Sequence, residues 1–283
     1  MKQRIITALI LAPLAISAIF FLPLKFFMLF AAALFLLASR EWTGFVSQTS
    51  SSSSIYLFGL LLGITLMLMP VNAIWQFTLL NEYLISGLVI ANVWWCVAFI
   101  LVVRYPKSAT LWQSSKVCKN LFGLLTLIPF FWGLVILRSI SIESNFYFGA
   151  QLVMYVFLLV WAADTGAYFA GKSFGKHKLA PSVSPGKTIE GFLGGLVCAL
   201  IVTYLASLFF VISDDKLVLF FITSIVTTLV SALGDLTESI FKREAGLKDS
   251  GNLLPGHGGI LDRIDSLTAA IPVFALLYIY WLI

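Results

Sequence analysis

Nine apolar runs leave this chain few places to fold other than a lipid bilayer. They lie near residues 5–23, 26–39, 55–70, 83–103, 120–138, 147–170, 189–212, 217–240 and 266–283, and a span takes about 17–25 residues. The second, third and last are short, which tilt, re-entry or a few flanking polar residues can make good. In hydrocarbon each backbone amide must be satisfied within its own segment, so such runs are expected to be helices. With 60% hydrophobic and 11% charged residues, a soluble globular domain is excluded. Lys2 and Arg4 ahead of the first run resemble a signal peptide's start, but a second run follows directly after Pro23 and Lys25, so a retained first span is expected.

Nine spans force the connections to alternate sides. With the N-terminus in the cytoplasm, 15 of the 18 Lys and Arg residues fall inside, and only Lys25, Arg138 and Lys216 fall outside. Basic residues in short loops stay on the cytoplasmic side, so the partition supports both the count and the orientation. The expected fold is an all-α polytopic membrane protein of about nine transmembrane helices, N-terminus cytoplasmic and C-terminus periplasmic. Cys96, Cys118 and Cys198 form no CxxC pair and no even set, and read as small buried hydrophobes.

The first half carries little chemistry. Arg40-Glu41-Trp42 reads as an ordinary boundary set closing the second span. Ser50 to Ser54 read as a flexible loop, and Trp94-Trp95 as packing or lipid-facing residues. The basic loop 104–119 reads as topogenic charge near anionic lipid, or as an edge of a nucleotide entrance.

The second half differs. Asp164, Tyr168 and Lys172 stand at i, i+4 and i+8 and share one helical face. A charge at bilayer depth costs about 2.5–3.5 kcal/mol, so this stripe forms a structural ion pair or lines a watery cavity open to the cytoplasm. Gly186-Lys187-Thr188 has the ending of a P-loop, but Pro181 stands where that pattern needs glycine, and a membrane helix where it needs a strand. What survives is a helix N-terminus whose free amides, hydroxyl and lysine can converge on phosphate oxygens. Gly191, Gly194 and Gly195 then allow close helix approach. His177 reads as a solvated loop residue.

Acidic, basic and glycine residues crowd positions 231–265. Ser231, Asp235, Glu238 and Lys242 share a helical face, and Pro255-Gly-His-Gly-Gly259 must be a tight, backbone-exposing turn. Asp262 and Asp265 either cap a helix N-terminus or join Asp235 as hard oxygen ligands of the kind magnesium takes, one or two carboxylates plus substrate phosphates.

Ser239-Ile-Phe-Lys-Arg243, followed after four residues by Lys248-Asp-Ser-Gly-Asn-Leu-Leu-Pro-Gly-His-Gly-Gly-Ile-Leu-Asp-Arg-Ile-Asp265, resembles the signature of phosphatidate cytidylyltransferases, also called CDP-diacylglycerol synthases. Asp164…Gly171-Lys172, Ser184 to Gly191, the Arg40-Glu41-Trp42 boundary and the length are similar to that family too. The resemblance implies a multi-pass enzyme of the bacterial inner membrane, expected as a homodimer, that converts CTP and phosphatidate into CDP-diacylglycerol and pyrophosphate. It implies Mg²⁺ held by Asp235 and Asp262, and admits K⁺ as a second ion. It places catalysis on Asp235, Lys242, Arg243, Lys248, Asp249, His257, Asp262 and Arg263, and substrate binding on Asp164, Lys172, Ser184, Lys187, Thr188 and Glu190. Residues 1–145 are then expected to be packing helices with dimer contacts, and 146–283 a catalytic region around a cytoplasm-facing polar cavity. Membrane lipid is a further expected partner; nucleic acid is not.

Two other classes share some of these features. A CTP-dependent lipid kinase needs a similar nucleotide site, and an ion-coupled secondary transporter also keeps intramembrane acids, but with repeat symmetry and binding near the midplane. Here the charged residues crowd one half of the chain.

Overall fold

The structure, a computed structural model, describes residues 2–47, 53–68, 74–76 and 79–283. Among them one helix forms for each apolar run: α1 (Lys2–Phe21), α2 (Leu24–Val46), α3 (Ser53–Leu68), α4 (Glu82–Val103), α5 (Lys116–Ser139), α6 (Phe148–Phe174), α7 (Ile189–Phe209), α8 (Asp214–Glu244) and α9 (Leu261–Trp281). Six of these, α4 to α9, are long and apolar enough to cross a membrane.

Local chemistry sets the helix starts. Asn81, Ser115 and Thr188 cap α4, α5 and α7, each accepting a hydrogen bond from an amide of the first turn. Two helices outrun their apolar stretches. α2 continues to Val46, so Glu41 and Trp42 are buried helix residues rather than a boundary set. α9 begins at Leu261 and takes Asp262 into its first turn. Of the serine run, Ser50–Ser52 lie outside the described residues, while Ser53 and Ser54 open α3 instead of forming a loop.

The fold also holds two short antiparallel pairs, an addition to the all-helical expectation. β1 (Trp75–Gln76) pairs with β2 (Leu79–Leu80), and β3 (Lys178–Ala180) with β4 (Ser184–Thr188), Lys178 opposite Thr188. The segment between α6 and α7 is therefore a hairpin that ends on α7's capping residue.

The helix ends sort into two sets, as strict alternation of nine spans requires. At one end Trp42 donates to the Lys119 carbonyl, Tyr105 to Glu244, Arg243 to the Val183 carbonyl and Thr7 to the Pro255 carbonyl. At the other end the fully buried Arg138 donates to the carbonyls of Ile19, Leu22 and Phe146, and Lys216 to that of Leu282. Cations on helix C-terminal carbonyls are favourably placed against the helix dipole.

Lipid gives helices no hydrophobic reason to associate, so contact rests on fit and internal hydrogen bonds. α6 and α7 meet through glycines. A methyl group on Gly195 would sit 2.5 Å from the Ala163 carbonyl oxygen, and one on Gly191 2.8 Å from that of Ala167. On α8 the buried hydroxyls of Ser224, Thr227, Thr228 and Ser231 donate to carbonyls three or four residues back, which satisfies them without water. An aromatic cluster binds α2, α5 and α8, with Phe241 5.1 Å from Trp42 and 6.0 Å from Phe122 between ring centres.

Candidate active site

Where the α6–α7 contact opens toward the hairpin, a cavity of about 490 Å³ remains, within the range of small-molecule sites. α6 lines it with Asp164, Tyr168 and Lys172, β4 with Lys187 and Thr188, and α8 with Thr228, Ser231 and Asp235. The face expected from the i, i+4, i+8 spacing on α6 is thus the cavity wall. Lys187 Nζ meets Asp235 Oδ2 at 2.5 Å, each side chain just under one-third exposed. The charge of Asp164 acts on Asp235, Lys187 and Arg263.

α7 offers fewer bare amides here than the sequence suggested. Ile189 donates to the His177 carbonyl and Gly191 to Thr188 Oγ1. Lys187 and Lys172, rather than an open amide cradle, are the cationic groups of the cavity lining. Glu190 lies outside the cavity lining. It accepts from the amides of Lys176 and His177 and meets His177 Nδ1 at 2.6 Å, so it shapes the loop beneath the hairpin. Ser184, paired opposite Ala180, is not in the lining either, and neither is any residue of loop 104–119.

A second polar cluster lies where α8 meets α9. Lys242 Nζ sits 2.8 Å from Asp262 Oδ1 and 3.4 Å from Glu238 Oε2, all three side chains largely buried. Asp262 Oδ2 accepts from the amides of Ser250 and Gly259, both at 2.8 Å, and lies 3.1 Å from Ser250 Oγ, whose one proton it shares with Glu41. Asp262 therefore holds the 249–260 loop, a role close to the capping alternative. The loop turns through positive φ at Gly256 and Gly258, and the His257 amide donates to the Leu254 carbonyl. His257 Nδ1 is buried without a hydrogen-bond partner. Lys248, Asp249 and Arg263 are exposed around this loop, as is Arg243, which ties α8 to the hairpin.

Electrostatic contact joins the two clusters. Asp265 acts on Asp235 and Glu238, and Glu238 in turn on Asp262 and Lys242. Five carboxyl groups (Asp164, Asp235, Glu238, Asp262, Asp265) share this region with four cations (Lys172, Lys187, Lys242, Arg263). Both oxygens of buried Glu238 lack a hydrogen bond. Carboxyl oxygens gathered beside a ligand-sized cavity, with Asp235 in its wall, suit a divalent cation. Among the described residues no three His, Cys, Asp or Glu side chains converge closely enough to hold an ion alone, so substrate phosphates would have to complete its shell.

Two residues of this cluster were not picked out as site residues from the sequence. Glu41 accepts from the amides of Ile260 and Leu261 and from Ser250 Oγ. The signals for it were its place in the Arg40-Glu41-Trp42 boundary and its being the one acid of a mostly apolar helix, which in a membrane calls for a partner. Ser250 had no signal of its own beyond its place in the signature.

Comparison with known proteins agrees with this architecture. The model of the cytidylyltransferase family matches residues 2–281. The chain is 42% identical to the phosphatidate cytidylyltransferase of Haemophilus influenzae over 293 residues, 99% of each chain. It is 44% identical to the phosphatidate cytidylyltransferase of Pseudomonas aeruginosa over 277 residues, 98% of this chain and 96% of the relative. Matched over nearly its whole length both by the family model and by full-length relatives, this multi-pass helical chain belongs to the cytidylyltransferase family.

Proposed function

We propose that the chain transfers the cytidylyl group of CTP to phosphatidate, giving CDP-diacylglycerol and pyrophosphate, and that it does so in the cavity between α6, the hairpin, α7 and α8. The Lys187–Asp235 pair carries this assignment of the site. A group suited to phosphate and a group suited to a cation meet at 2.5 Å in a cavity of ligand size. Each neutralises the other until a nucleotide with its cation separates them.

An oxygen of the lipid phosphate attacks the α-phosphorus of CTP, and the bond to the β-phosphate breaks. Phosphate monoesters have a second pKa of about 6, so the attacking group is already largely dianionic and no general base is required. The chain's task is alignment and charge neutralisation. Lys187 and Lys172 face the cavity to receive phosphate oxygens, with Tyr168 packed beside Lys172. Asp164 stands on the same cavity wall as Lys172 and adds negative charge there. Lys242 and Asp262 fix the α8–α9 junction.

Mg²⁺ is the cation proposed, on Asp235 in the cavity wall and on Asp262 once its Oδ1 is released from Lys242, with K⁺ as the second ion. When bound, such an ion supplies charge neutralisation at the transferring phosphate and the departing pyrophosphate. Residues 146–283 form the catalytic region, and the cavity faces the cytoplasm of a bacterium from its inner membrane, where CTP is available. A homodimer is the proposed assembly.

The test is to supply membranes with phosphatidate and CTP labelled on the base. Label in lipid supports cytidylyl transfer. A lipid kinase would leave all label soluble, and that result would refute the assignment.

A further inference from the structure

We propose that Glu41, on α2, is a positioning residue for cytidylyl transfer: it fixes the first turn of α9 and the 249–260 loop in the register that sets Asp262 and Lys242 at the site. This rests on the activity proposed above.

Glu41 is 8% exposed and is the one acid of α2. Its carboxylate accepts three hydrogen bonds, from the Ile260 amide at 2.9 Å, the Leu261 amide at 2.9 Å and Ser250 Oγ at 3.0 Å. α9 has no cap of its own, since Ile260 at its N-cap carries no acceptor. The carboxylate from α2 therefore satisfies two amides that would otherwise be orphaned, and it sits where the helix dipole favours an anion.

The loop is shaped to receive this one group. A methyl on Gly251 would lie 2.9 Å from Glu41 Oε1, and a methyl on Gly259 would collide with both Glu41 Oε2 and Ser250 Oγ. The glycines at 251 and 259 thus leave the room that the carboxylate fills. α2 is itself anchored, because Trp42 donates to the Lys119 carbonyl and packs on Phe241 of α8.

Ser250 links the cap to the chemistry. Its hydroxyl lies 3.0 Å from Glu41 Oε2 and 3.1 Å from Asp262 Oδ2, and Asp262 Oδ1 holds Lys242 at 2.8 Å. A shift of Glu41 therefore reaches Asp262 by two routes, the start of α9 and the serine. The N-terminal half is then part of the catalytic apparatus as well as packing.

Three variants of the full chain in mild detergent, Glu41→Gln, Glu41→Asp and Ser250→Ala, decide the matter. Glutamine keeps one acceptor oxygen and turns N–H toward the other donors, so amide exchange at 260 or 261 should quicken about tenfold or more. Its kcat should fall about 10–100-fold, as when the support of a site residue is lost, while KM for CTP moves less than about threefold. Glu41→Asp keeps the charge on a shorter arm and should fall between glutamine and the natural residue. Ser250→Ala leaves the α9 amides capped, so exchange at 260–261 should hold while kcat falls about tenfold.

Natural kcat in folded Glu41→Gln, or unchanged exchange at 260 and 261, would overturn the proposal. So would a loss of activity matched by the loss of folded protein, which is what a plain cap gives. Should Glu41→Gln not fold, a natural kcat in Ser250→Ala overturns it instead. A natural chain that moves no cytidylyl label refutes the activity, and the exchange measurement still decides whether Glu41 holds α9.

Discussion

Replacing Lys242 by methionine tests how the α8–α9 junction is held. Methionine fills nearly the same volume, so the change removes a charge with little cavity. Lys242 stands between Asp262 at 2.8 Å and Glu238 at 3.4 Å, with side-chain exposures of 12, 6 and 5%. At an effective dielectric of about 20, charges at these separations attract by about 5–6 kcal/mol per pair before desolvation is subtracted. Desolvation takes back much of that, and measured losses on breaking such buried pairs are about 3–5 kcal/mol. Asp262 keeps the amides of Ser250 and Gly259 as donors, whereas Glu238 is left with none. Most of the loss should therefore come from Glu238. Adding Glu238→Gln to Lys242→Met should bring the loss down to about 1–2 kcal/mol, a coupling expected of direct neighbours. Denaturant unfolding in mild detergent reads both variants through fluorescence of the buried Trp42, Trp94, Trp95 and Trp112. A single variant within about 1 kcal/mol of the natural chain, or a second substitution that deepens the loss, would refute the reasoning.

Asp235→Asn should reduce cytidylyl transfer by more than about 10³-fold while stability changes by no more than about 1 kcal/mol, because a part-exposed ion pair contributes little to folding; a turnover assay beside an unfolding curve separates the two. Gly195→Ala places a methyl 2.5 Å from the Ala163 carbonyl and should cost about 1–3 kcal/mol by forcing α6 from α7, with full stability as the contrary result. Tyr105 donates to Glu244, and burial, then that hydrogen bond, pushes its phenol up to about 12. The unfolded chain gives up this proton near 10, so the stability Tyr105 contributes is present below pH 10 and lost as pH rises toward 12. Tyr105→Phe should flatten that decline, and an unchanged unfolding profile between those values would contradict it.

What could be read from residues alone was whatever depends on period and length. Apolar runs located the helices because membrane burial writes itself into twenty consecutive positions, and the i, i+4, i+8 spacing placed Asp164, Tyr168 and Lys172 on the wall of one cavity. The glycines at 191 and 195 likewise announced a close helix contact. Partnerships between distant segments left no such trace. That Lys187 meets Asp235, or that Glu41 reaches Ile260, is decided by how helices pack, and no local pattern encodes it. Helix ends were misjudged for the same reason. α2 and α9 run past their apolar stretches because each buries the other's polar groups, Glu41 under the α9 amides. The hairpin at 178–188 was hidden by the Pro and Gly that make a phosphate-loop ending and a turn look alike.

The most direct measurement is a structure of the chain with CTP and Mn²⁺. The account predicts manganese about 2.1 Å from an Asp235 oxygen, with the triphosphate beside Lys187 in the α6–α7–α8 cavity and the Lys187–Asp235 contact opened. Manganese away from Asp235, or a nucleotide outside that cavity, would contradict it.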